Sequence, residues 1–62
     1  MIAMSLATQL QHKIKTKIAL AEKHERLAAV AGSIPKKMTW NFHARRFRNQ
    51  AKAFEQQLKN LG

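Results

Sequence analysis

After the chain's single proline, Pro35, large apolar residues return at every seventh position: Trp40, Phe47, Phe54 and Leu61. Ala44, Ala51 and Leu58 interleave with them and complete the a/d seam of a helix. A strand cannot keep such a row on one face, because its side chains alternate sides with a period of two. The second half of the chain is therefore predicted as one helix over 39–61, with large residues at d and mostly small ones at a.

The first half carries a looser version of the same signal. Stepped at about 100° per residue, Leu6, Leu10, Ile14, Ile18, Ala21 and Ala28 share a face, which Leu20 and Leu27 widen. A helix over 5–31 is expected, with Ser5 as its N-cap, since a serine hydroxyl accepts a free N–H of the first turn. Gly32 is expected to end this helix in the left-handed conformation, and Pro35 to prevent its continuation. The loop is thus placed at 32–38. Glu22 with Arg26, and Glu55 with Lys59, have the i, i+4 spacing and order that favour surface ion pairs.

Two helices with a short loop between them fold back as an antiparallel hairpin, an all-α single domain over 1–62. Sixty-two residues bury little core, and without cysteine no disulfide can reinforce it. A second copy is the expected support. The hairpins are predicted to pair into a dimeric four-helix bundle through Trp40, Phe47, Phe54 and Leu58 with Leu10, Ile14 and Ile18. In length and layout the chain resembles the Rop family of RNA-binding helix hairpins, which dimerise into four-helix bundles. The resemblance is architectural, without a shared motif and with a far more basic charge here, so it assigns no residue a role.

The charge balance points to the partner. Twelve Lys and Arg stand against three Glu, for a formal net charge of +9. Such a surplus repels itself in a compact chain, and a polyanion relieves the repulsion. On the second helix Arg45, Arg48, Lys52 and Lys59 follow one another at spacings of three, four and seven, with Asn41 at the head and Arg46 on the other flank. A line of cations on a rigid helix suits a phosphate backbone. Phe42 shares a face with Arg45, Arg46 and Asn49. It is read either as an exposed ring for stacking unpaired bases or as part of an apolar cap with Val30, Ile34 and Met38. Lys13 and Lys17 intrude on the edge of the first apolar face, their stems lying along the seam. With Lys36 and Lys37 they are additional contacts to an anionic ligand. The expected function is a small regulatory nucleic-acid binder, with RNA or single strands preferred. The rival readings are an inhibitor module docking its basic face on an acidic protein, and a peripheral binder of anionic membranes.

Catalysis is not expected. The chain lacks a thiol nucleophile, a glycine-rich phosphate loop and any paired carboxylates placed for acid–base work. His24 and His43 fall near the loop end of the two stripes and His12 opposite the apolar face. Without thiolates to join them, the histidines are read as space-filling and not as metal ligands, and no cofactor is expected. No apolar run is long enough to span a bilayer, and no secretory signal is recognisable. The acid-free start keeps an organellar transit segment as a lesser alternative to a cytoplasmic location.

Overall fold

The computed structural model describes residues 5–61, so positions 1–4 and 62 of the expected domain lie outside the described residues. Two helices, α1 (Leu6–Ala29) and α2 (Ile34–Leu61), pack against each other. Contacts across the seam run in opposite chain order, Lys13 meeting Phe54, Lys17 meeting Phe47 and His24 meeting Trp40. The molecule is therefore an antiparallel hairpin.

Ser5 caps α1 as expected: its Oγ accepts the N–H of Thr8 at 3.1 Å. At the other end the helix stops two residues earlier than the sequence suggests. Val30 N–H still reaches the Arg26 carbonyl at 3.3 Å, and Ala31 N–H closes a tighter turn on Ala28. Gly32 does not take the left-handed conformation expected of it, since among the described residues no glycine has a positive φ.

The start of α2 is the larger correction. The helix begins at Ile34 and not at Thr39, which shortens the connection from 32–38 to 30–33. Ser33 is the reason. Its Oγ accepts the N–H of Lys36 at 3.4 Å, and its carbonyl accepts that of Lys37 at 3.0 Å. Pro35 then lies in the first turn, where backbone N–H groups have no intrahelical partner and a missing one breaks no bond.

The buried core is made of Leu10, Ala21, Ala28, Ala44 and Ala51. Ala21 and Ala28 on α1, like Ala44 and Ala51 on α2, are seven residues apart, so methyl groups line the centre of the seam and the backbones come close. Around them Ile14, Ile18, Leu27, Trp40, Phe47, Phe54 and Leu58 are only half-buried. Leu6, expected in the stripe, is 57 % exposed. The apolar cap over the loop end is not closed: Val30, Ile34, Met38 and Phe42 are 79, 74, 66 and 58 % exposed.

The result is a single layer, 46 × 25 × 11 Å in extent. It exposes 5018 Å², where a compact monomer of 7.1 kDa exposes about 4,100 Å². Its radius of gyration is 14.5 Å, against about 10.6 Å for a globular chain of this length.

Candidate nucleic-acid interface

α2 carries Arg45, Arg46, Lys52 and Lys59 on its exposed surface. Arg45, Lys52 and Lys59 recur at seven residues, which lines them up at intervals of about 10 Å along the helix. Arg48, expected in the same ribbon, has a different task. Its Nε donates to Glu25 Oε2 at 2.8 Å and its Nη2 to Glu25 Oε1 at 2.7 Å, a two-pronged tie between the helices. The hydrogen bond from Arg48 holds the Glu25 carboxyl below the usual carboxylate range, against the loss of hydration around it. The same bond raises Arg48 further above its already high value, with the charges of Glu25 and Glu22 adding to it. This is the one ion pair among the described residues. The expected pairs of Glu22 with Arg26 and Glu55 with Lys59 do not form there.

Phe42 lies in the open beside Arg46, whose guanidinium carbon is 6.0 Å from the ring centroid. Lys36 and Lys37 occupy the first turn of α2, where no carboxylate is present. They add their charge to the end of the helix that already carries its partial positive charge.

A second set of cations lies along the rings. Lys13 Nζ stands 5.5 Å from the centroid of Phe54, and Lys17 Nζ stands 5.4 Å from that of Phe47. About two turns further along α1, His24 packs among Trp40 at 5.4 Å, Phe47 at 5.1 Å and His43 at 5.8 Å, measured between ring centroids. Its Nδ1 is 2.7 Å from the Leu20 carbonyl and donates to it, which fixes the ring on the helix. No third His, Cys, Asp or Glu joins His24 and His43 among the described residues. Lys17 and His24 occupy seam positions in register with Leu10 and Ala31, seven residues apart each time. That register is the signal by which the sequence could have placed His24 against the rings.

The opposite side of the seam is different in kind. Ile14, Ile18 and Leu58 line a groove there, bordered by Gln11 and Lys15. Gln11 and Ile18 stand fourteen and seven residues before Glu25, in the row that reaches Arg48. Compared with models of known protein families, with characterised proteins and with solved structures, the chain matches none of them.

Proposed function

We propose that this chain is a non-catalytic, nucleic-acid-binding hairpin that acts as a pair of copies. One observation carries the reading: Arg45, Arg46, Lys52 and Lys59 are exposed on one rigid helix, and none has an ion-pair partner among the described residues. Holding like charges in a row is unfavourable unless an anionic partner meets them. Phosphates lie along Arg45, Lys52 and Lys59, while Phe42 and Arg46 at the head of the row face unpaired bases. Arg48 stays with Glu25 and supports the hairpin.

The second copy completes the layer. The surplus exposure of about 900 Å² over a compact monomer is close to the ~800 Å² that each partner buries in a standard interface. The rings Trp40, Phe47 and Phe54 are covered within the chain by His24, Lys17 and Lys13, which leaves the groove of Ile14, Ile18 and Leu58 as the seat of the partner. Lys15 borders this groove, and Glu25 stands one heptad beyond Ile18 in the same row of α1, which supplies opposite charges for two-fold pairing.

The binding reading is tested by fluorescence anisotropy with a labelled single-stranded RNA over a salt series. Contact of Arg45, Lys52 and Lys59, with Lys36 and Lys37 at the start of the helix, engages three to five phosphates and predicts a log–log slope of about −2 to −3.5. Arg45→Glu combined with Lys52→Glu is expected to flatten that slope by about two and to leave the helical circular dichroism unchanged. Unchanged affinity in this variant would remove the row from the interface.

A further inference from the structure

We propose that the ring-bearing side of the hairpin, built by Trp40, Phe47 and Phe54 with Lys13 and Lys17, is a stacking track for single-stranded nucleic acid. It is distinct from the row on α2. The proposal rests on the nucleic-acid reading above and adds to it the side of the molecule and the chemistry of contact.

The charges of the hairpin are sorted by side. Glu25 reaches Arg48, Glu22 adds to the charge felt by the same guanidinium, and Glu55 follows Arg48 by one heptad. All three carboxylates of the chain thus belong to the groove side. The ring row of α2 is set one residue back from Arg48 and Glu55, about 100° round the helix. Facing it across the seam are Lys13, Lys17 and His24, which contact these rings.

The rings are half-buried, and the lysines over Phe47 and Phe54 are removable covers. A lysine ammonium over an exposed ring shifts an equilibrium by about two- to five-fold. A nucleobase stacked on an aromatic side chain shifts it by roughly five- to 150-fold. Replacing the first contact by the second is therefore favourable, and the displaced ammonium keeps a partner, because its flexible four-carbon stem lets it swing from the ring face to the adjoining phosphate. Lys13 and Lys17 act as place-holders that exchange a ring for a phosphate as the base arrives.

Spacing selects the strand. Rings seven residues apart are about 10 Å apart, so the three span about 21 Å. Continuously stacked bases repeat far more closely, and in a duplex they are enclosed. Unpaired, splayed bases can reach separate rings. A second copy is a poor occupant of this side: two-fold pairing would bring Lys13 and Lys17 of both chains together with no acid to neutralise them.

Trp40 is the only tryptophan, and it reports from inside the track. Its fluorescence is followed while the full chain is titrated with a single-stranded oligonucleotide of about twelve residues, with an abasic phosphodiester of equal length, and with phosphatidylserine vesicles. The expected result is quenching by the oligonucleotide and an affinity at least about ten-fold above that of the abasic strand. Phe47→Leu with Phe54→Leu, which keeps apolar volume in the seam, should abolish this preference. Lys13→Gln with Lys17→Gln, which removes the charged tips and keeps most of the apolar stems, should weaken both strands and so tests the side even if the first variant unfolds. Equal affinity for both strands without a change in Trp40 emission overturns the track and leaves the α2 row standing. Failure of both strands to bind overturns the nucleic-acid reading itself. Vesicle binding with a blue shift, and no response to the oligonucleotide, assigns the side to lipid and also overturns the track.

Discussion

Among the described residues Glu25 is the only carboxylate that joins the two helices, and Arg48 spends its guanidinium on it. Because the folded form holds this carboxyl below the usual range, the pair contributes to stability above that range and loses the contribution as pH falls through the depressed value. Glu25→Gln should therefore flatten the acid limb of a plot of melting temperature against pH, and an unaltered acid limb would show that the tie is inconsequential. Lys17 has a comparable double nature. It is half-buried at a seam position, yet its charge stays above the Phe47 ring and not within the core. A charged residue survives at such a site because its apolar stem fills the seam and only its tip needs water.

Each helix contributes a heptad-spaced pair of buried alanines to the contact between the helices. Ala51 is buried in that contact, so Ala51→Leu forces the helices apart and is expected to cost about 1–3 kcal/mol in thermal unfolding. Ala53→Leu, exposed on the same helix, should stay within about 0.5 kcal/mol of the parent. The α2 seam was legible in the sequence because its rings and alanines announce their period through size. The α1 seam was legible only in part: Ser5, Leu10, Ala21 and Ala28 carry their usual signals, whereas Lys17 and His24 are polar residues doing the work of apolar ones. Pro35 misled in the other direction, since a proline in the middle of a chain reads as a stop, and only the Ser33 cap reveals it as a start. Glu25 and Arg48 are 23 residues apart, and their meeting depends on the register of one helix against the other. In the candidate interface, residue types showed that cations abound, but not which of them the fold would tie to a carboxylate or lay over a ring.

As a whole, the chain is one layer of a structure that ordinarily needs two. Light scattering at micromolar concentration is expected to give twice the 7.1 kDa of the chain. Ile18→Glu, in the groove, should return the mass to a single copy while the helical signal persists, and a single-copy mass for the unmodified chain would contradict pairing. The positive end of α2, where Lys36 and Lys37 crowd a helix terminus with no carboxylate in its first turn, has a consequence for the solvent. Most soluble proteins tolerate desalting, because attractions between their surface charges outlast it. Here electrolyte is expected to act as a structural ingredient. Dialysis against pure water should lower the melting temperature, and adding sodium chloride back to about 0.15 M should restore it, as mobile anions gather where the sequence supplies none of its own.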